Sequence, residues 1–181
     1  HYTVNVLTEL SELWSAPVDD AGHLGAPVPL AFEPLDMETA STPDVSADHL
    51  ELVFTSAPFG AQRIALASRP NDRSPFGPPV AVDAAEAAGT QVASPALSSD
   101  ALELWFEAVP PGDPYLDLFV ARRPSRAEPF RPALPVTELN VAGFLDGGPD
   151  ISADGSVLVF LSGRAGGAGS WDLWYATREC L

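Results

Sequence analysis

The stretch "PDISADGSVLVFLSGRAGGAGSWDLWYATR", residues 149–178, is repeated twice, in altered form, earlier in the chain. The earlier copies are "PDVSADHLELVFTSAPFGAQRIALASR", residues 43–69, and "PALSSDALELWFEAVPPGDPYLDLFVARR", residues 95–123. Their opening prolines are 52 and 54 residues apart, at positions 43, 95 and 149. A repeat of this length, with several short strands in each copy, is typical of the four-stranded sheets of a β-propeller.

Each copy predicts the same order of strands. The apolar runs at 50–54, 102–106 and 157–160 read as one strand, and those at 63–69, 117–123 and 172–178 read as the next. Proline-rich stretches follow at 76–82 and 130–136, and because proline cannot donate to a ladder we expect them at an outer edge. Residues 12–30 match the second half of a copy. The chain therefore predicts one domain over 1–181, with copies at about 1–42 (partial), 43–94, 95–148 and 149–181 (partial).

A short polar motif precedes the first of these strands in every copy. Its members are Ser46, Asp48, Ser98, Asp100, Ser152 and Asp154. Such side chains bond nearby backbone amides in turns, and their threefold occurrence favours a structural role over a catalytic one. Gly155 favours a two-residue hairpin turn in the last copy, whereas His49 and Ala101 stand in its place in the others and predict a different turn type.

The repeat resembles the TolB-like, or WD40-like PD40, propeller family, most closely at residues 149–178. The resemblance implies an all-β fold, a β-propeller built from about four PD40-type blades, of which the first and last are incomplete in sequence. It also implies a bacterial protein of the periplasm, the cell envelope or the exterior. Propellers of this family serve several functions, so the resemblance favours binding of a protein or peptide without specifying the partner.

Two arrangements of the blades are open. In the first, which we expect, one chain closes a compact ring and the N-terminal strands complete the C-terminal sheet. In the second, the chain is a piece of a larger ring, or another copy of the chain covers its open edges as a homo-oligomer.

The composition excludes several classes of partner. The formal net charge is −16, and all nine basic residues are arginine, so the surface would repel the phosphate backbone of nucleic acids. Anionic lipid surfaces are disfavoured for the same reason, and no apolar run is long enough for membrane insertion. Residues 1–20 lack the pattern of a secretory signal.

No pattern in the sequence predicts catalysis, a metal or a cofactor. The three histidines, His1, His23 and His49, have no ligand spacing, and the single cysteine, Cys180, lies far from all of them in sequence. The nucleophile motif Gly-x-Ser-x-Gly is absent, and the glycine-rich stretch 163–170 leads into a strand, which favours a flexible hairpin connection over a phosphate loop.

Four residues are candidates for ligand binding. Glu38, Gln91 and Asp146 come shortly before the opening prolines and differ between copies, and Trp171 ends a loop where its ring could stack on a ligand. We expect a non-catalytic module that binds a protein or peptide through the loops of one face and the mouth of the channel. The alternatives are a glycan-binding or glycan-cleaving propeller that uses Glu38, Asp146 and Trp171, and a structural fragment of a larger exported assembly.

Overall fold

The structure, a computed structural model, describes residues 2–6, 12–30, 39–57 and 62–178. Glu38, His1 and Cys180 lie outside these residues. The described chain is nearly all β-strand and forms four separate antiparallel sheets, which follow one another in chain order. The predicted all-β class with propeller-type blades is confirmed.

The first sheet contains β1 (Tyr2–Val6), β2 (Glu12–Ala16) and β3 (Val28–Pro29). The second sheet contains β4 (Thr39–Val45), β5 (Glu51–Ala57), β6 (Arg63–Ser68) and β7 (Val80–Ala81). A single-turn helix, α1 (Asp83–Glu86), leads to the third sheet.

The third sheet contains β8 (Thr90–Leu97), β9 (Glu103–Val109), β10 (Asp117–Arg122) and β11 (Leu134–Pro135). The fourth sheet contains β12 (Asp146–Ile151), β13 (Val157–Ser162) and β14 (Asp172–Thr177). The two-residue strands β3, β7 and β11 are the outer edges of their sheets, as predicted. Pro29 and Pro135 sit in two of these edges, where a missing backbone donor is tolerated.

The same hydrogen bonds build the hairpin turn between the first two strands of the second, third and fourth sheets. The serine hydroxyl donates to the aspartate carboxylate at 2.7 Å in Ser46–Asp48, 2.6 Å in Ser98–Asp100 and 2.7 Å in Ser152–Asp154. His49, Ala101 and Gly155 all adopt a left-handed backbone, with φ of 62°, 58° and 70°. The prediction of different turn types was therefore wrong, because the serine and aspartate bonds hold the two non-glycine residues in the same conformation.

The core lies between consecutive sheets, in interfaces that we call junctions. We call the face of a sheet that is turned toward the following sheet in chain order its leading face, and the opposite face its trailing face. The leading-face residues Val53 and Ile64 of the second sheet pack against Leu104, Phe106 and Phe119 of the third. The leading-face residues of the third sheet, Trp105, Leu118 and Val120, pack against Ile151, Leu158 and Phe160 of the fourth.

Polar contacts repeat from junction to junction as well. Arg123 at the end of β10 pairs with Glu51 of the second sheet, and Arg178, which follows β14, pairs with Glu103 of the third. The backbone N–H of Ser94 donates to the Thr55 hydroxyl, and that of Gly148 donates to the Glu107 carboxylate. The arginine that follows the third strand of the third sheet, and its equivalent in the fourth sheet, thus tie each sheet to the one before.

The described sheets form an open array, so the expected closure of the ring was wrong. Strands β1 to β3 form a sheet of their own instead of completing the fourth, in which β14 is an edge strand. The leading face of the fourth sheet is open to solvent, where Leu173 and Tyr175 are each 74% exposed. In the described part of the chain, no helix is long and apolar enough to cross a membrane.

Candidate functional site

The structure separates the candidate binding residues that the sequence predicted. Glu38 falls outside the described residues. Gln91 is exposed in a left-handed conformation, with φ of 53°, where β8 loses its register with β9. Trp171 is 60% exposed at the end of the loop before β14. Asp146 is fully buried.

Asp146 holds two loops together. Its Oδ1 accepts a hydrogen bond from the Arg164 guanidinium at 2.7 Å, and its Oδ2 accepts one from the Val141 backbone N–H at 2.7 Å. Arg164 also donates to the Leu139 carbonyl at 2.5 Å, and its guanidinium stacks 5.0 Å from the Phe160 ring centroid. These contacts give Asp146 a role in positioning the loops and leave its carboxylate out of reach of a ligand.

The loops around Asp146 carry three exposed aromatic side chains: Tyr115, Phe144 and Trp171, which are 42%, 36% and 60% exposed. The segments that bear them are tied together, because the Asp146 N–H donates to the Leu116 carbonyl at 2.8 Å and the Gly163 N–H donates to the Leu145 carbonyl at 3.0 Å. The Phe144 and Trp171 rings both flank Gly163. We call these three aromatic residues, with Asp113 and Asp117, the loop surface.

The loop surface is negatively charged as well as aromatic. Partial burial raises the pKa of Asp117 above its usual range, and the nearby carboxylates of Asp113 and Asp146 add to the effect. The Tyr115 N–H donates to the Asp113 carboxylate at 3.0 Å, which orders the loop before β10. Carboxylates on such a surface favour a cationic ligand.

Sequence reasoning predicted Trp171 and missed Tyr115, Phe144 and Arg164. Tyr115 lies in "PPGDPYLD" and Phe144 in "VAGFLDGG", so each is a lone aromatic among turn residues. An aromatic residue in such a context has little core to enter, and this signal could have identified both.

The described ranges contain no cluster of side chains that could bind a metal ion. No three His, Cys, Asp or Glu side chains there are placed to share a metal ion. His23 bonds Asp19 within its own exposed loop, at 2.9 Å.

Comparison with solved structures defines the fold. The structure of a putative TolB from Agrobacterium tumefaciens matches with a TM-score of 0.63 at 17% identity, over 97% of this chain and 54% of that one. TolB from Acinetobacter baumannii matches with a TM-score of 0.62 at 14% identity, over 97% of this chain and 37% of that one. The chain has a TolB-like propeller fold.

The likeness extends to the fold alone. A structure from work on two prolyl endopeptidases matches this chain with a TM-score of 0.50 at 16% identity, over 93% of this chain and 25% of that one. The chain spans about half the length of the Agrobacterium protein and a smaller part of the other two. The sequence matches no family model and no curated protein.

Proposed function

We propose that this chain is a non-catalytic binding module that takes a protein or peptide on the loop surface. The observation that carries the proposal is the set of three exposed aromatic side chains on loops tied to one another by hydrogen bonds. Rigid aromatic side chains supply much of the binding energy at protein interfaces, because they bury a large area at little entropic cost. The TolB-like fold supports a role in protein interaction.

The charge of the surface points to a basic segment as the ligand. The chain carries a net charge of −16, and Asp113 and Asp117 lie two residues before and after Tyr115 in the sequence. Arginine or lysine side chains of a peptide can stack on Tyr115 or Trp171 while they pair with these carboxylates. The attraction between opposite charges also accelerates encounter and weakens as salt is added.

The geometry of Asp146 argues against glycan cleavage. That reaction needs two carboxyl groups that reach the scissile bond from either side. Asp146 is fully buried and its carboxylate is engaged by Arg164 and the Val141 amide. Glycan binding through the ring of Trp171 remains an outcome of the experiment below.

On the basis of the TolB-like fold, we also propose that the protein is located in the cell envelope or at the exterior of a bacterium.

The test is selection from a peptide-display library and from a glycan array against the purified protein. We expect enrichment of peptides rich in arginine or lysine, with binding that falls at least about tenfold in Trp171→Ala and in Tyr115→Ala. Val80→Ala is the control, because Val80 is 60% exposed on the outer strand β7 of the second sheet and is not part of the loop surface. We expect it to bind as the parent does.

Three results would count against the proposal. Selection of no peptide, or of peptides without basic residues, would contradict the charge argument. Equal loss in Val80→Ala would move the binding site away from the loop surface. Capture of glycans that depends on Trp171 would favour the alternative function.

A further inference from the structure

The leading face of the fourth sheet repeats a face that the other sheets bury. Strand registers place Val159, Leu173 and Tyr175 where the third sheet has Trp105, Leu118 and Val120. Trp105, Leu118 and Val120 are at most 6% exposed, whereas Val159, Leu173 and Tyr175 are 36%, 74% and 74% exposed. The fourth sheet thus presents a complete apolar junction face to solvent.

This face differs from the internal leading faces in its polar positions. Glu51 and Glu103, which pair with an arginine of the next sheet, are replaced by Val157 in the fourth sheet. Thr55 and Glu107, which accept a backbone hydrogen bond from the next sheet, are replaced by Leu161. A partner for this face must therefore offer apolar groups where the internal junctions offer an arginine and an N–H.

The first sheet of the same chain has those properties on its trailing face. Trp14 holds the position of Phe119 and Trp174, which face backward in their sheets, and it is half-buried. Val18 holds the position of Arg123 and Arg178. The first sheet therefore places no arginine there that would need a glutamate on the facing sheet. Strand β1 is an edge strand of the first sheet. Among the described strands, this sheet has no equivalent of β8 or β12, the strands whose backbone N–H groups donate across the internal junctions. No such N–H from the described strands would therefore face Leu161. Val157 and Val18 thus replace the two halves of the internal ion pair.

We propose that a second copy of this chain docks head to tail, with its first sheet on the leading face of the fourth sheet. The contact continues the stacking that already joins the sheets within one chain. It buries Leu173 and Tyr175 and needs no buried ion pair. Because the two surfaces are different, the contact either closes into a ring or extends into larger assemblies.

Salt distinguishes this contact from peptide binding at the loop surface. Each copy carries a net charge of −16, so copies repel one another at low ionic strength. The joint itself is apolar, so screening the repulsion strengthens it, whereas the same screening weakens a basic peptide on the loop surface. Failure of one proposal is therefore visible without failure of the other.

The test is the molar mass in solution by size-exclusion chromatography with light scattering, over a range of protein and sodium chloride concentrations. We expect masses that rise from 19.0 kDa to its multiples as either concentration increases. The double substitution Leu173→Asp with Tyr175→Asp should weaken the association at least about 100-fold, because it places carboxylates in an apolar joint. Val80→Asp is the matched control, as Val80 is 60% exposed on the outer strand β7.

Mixing variants tests the head-to-tail geometry. Trp14→Asp removes the first-sheet surface, and the double variant removes the fourth-sheet surface, so each alone should be a monomer. A mixture of the two should form a one-to-one complex, because each retains the surface that the other lacks. The Leu173 and Tyr175 readout does not depend on whether Trp14→Asp folds.

Several results would overturn the proposal. One is a parent chain that stays at 19.0 kDa at high salt and high protein concentration. A double variant that associates like the parent, or a Val80→Asp variant that loses association equally, would remove the fourth sheet from the contact. If a folded Trp14→Asp variant still self-associates, the first sheet is not part of the contact. The association would then join the fourth sheets of two copies, and the head-to-tail geometry would be wrong.

Discussion

The junction between the second and third sheets and the junction between the third and fourth have the same sequence pattern but different degrees of burial. The ion pair of the former joins Glu51 and Arg123, whose side chains are 7% and 4% exposed. The equivalent pair in the latter joins Glu103 and Arg178, whose side chains are 16% and 42% exposed. The repeated residues determine which contacts form, but they do not determine how far those contacts are exposed to solvent.

The segments that fill the outer part of each junction account for part of the difference. Helix α1 fills the gap between the second and third sheets with Ala84 and Ala85, and its Ala84 carbonyl accepts a hydrogen bond from the Ala133 N–H at 3.3 Å. No helix occupies the corresponding place in the other junction within the described residues. A groove of about 550 Å³ remains there, lined by Leu134, Val136 and Leu139 among others. The non-repeated connections therefore control solvent access.

Removing the arginine of each ion pair should show the largest contrast between the two junctions. Arg123→Ala leaves the buried Glu51 carboxylate with only the more distant Arg126 guanidinium, at 3.9 Å, and we expect a loss of about 3–5 kcal/mol in the free energy of unfolding. Arg178→Ala removes a partly exposed pair, and we expect about 0–1 kcal/mol. Urea unfolding curves of both variants and the parent give the comparison.

The two arginines share their other contacts, but the glutamates keep different partners: Glu103 keeps the Arg122 guanidinium at 2.8 Å, and Glu51 keeps that of Arg126 at 3.9 Å. Each arginine also bonds the carbonyl of the left-handed turn residue of its own sheet, Ala101 for Arg123 and Gly155 for Arg178. Each also stacks on an aromatic ring, that of Phe130 or that of Trp105. Equal losses in the two variants would mean that burial does not distinguish the junctions.

Filling the two outer gaps should give a smaller contrast. Ala85 of α1 is 0% exposed, so Ala85→Leu overfills a packed site and should cost about 1–3 kcal/mol. Thr137 is exposed at the wall of the open groove, so Thr137→Leu should change stability by less than about 0.5 kcal/mol. Thermal and urea unfolding measure both. A costly Thr137→Leu substitution would show that the groove is filled in solution.

Acid should act on the turns and give the smallest effect. Partial burial alone would raise the pKa of Asp48, but hydrogen bonds from Ser46, Leu50 and Arg126 outweigh it and hold the value at about 2. Hydrogen bonds from Ser152 and Ser156 hold the pKa of Asp154 at about 2 as well. The ordinary value is 3.8 in both cases.

The sign of the effect follows from these lowered values. A carboxyl group with a lower pKa in the folded state stabilises the fold above its unfolded pKa, and this contribution is lost as the pH falls through the folded pKa. We therefore expect a loss of stability between about pH 4 and pH 2 that is shallower in Asp48→Asn and Asp154→Asn. Melting temperatures across this range measure it, and identical slopes in the variants and the parent would contradict the role of the turns.

The sequence predicted most of the repeated architecture, because each repeated feature has a local cause. The outer position of the proline strands follows from a missing donor, and the Ser46–Asp48 turn follows from short side chains that bond adjacent backbone. The helix α1 was missed, since "DAAEAA" is a short insertion outside the repeat. Its effect on the junction depends on long-range packing that periodicity does not record.

The candidate site was predicted less well than the fold. Glu38, Gln91 and Asp146 were chosen because each comes shortly before an opening proline, but β-bulges shift the strand register before Pro95 and at Pro149. The burial of Asp146 depends on Arg164, which comes from the glycine-rich loop, 18 residues further along the chain. Neither bulges nor a pairing of that kind can be read from the spacing of single residues.

The most direct test of the open array is hydroxyl-radical footprinting of the dilute protein, read out by mass spectrometry. The structure predicts rapid labelling of Leu173 and Tyr175 and little labelling of Leu118 and Val120, which hold the same register positions one sheet earlier. Protection of Tyr175 in protein that light scattering shows to be monomeric would contradict the account. The leading face of the fourth sheet would then be covered by the chain itself.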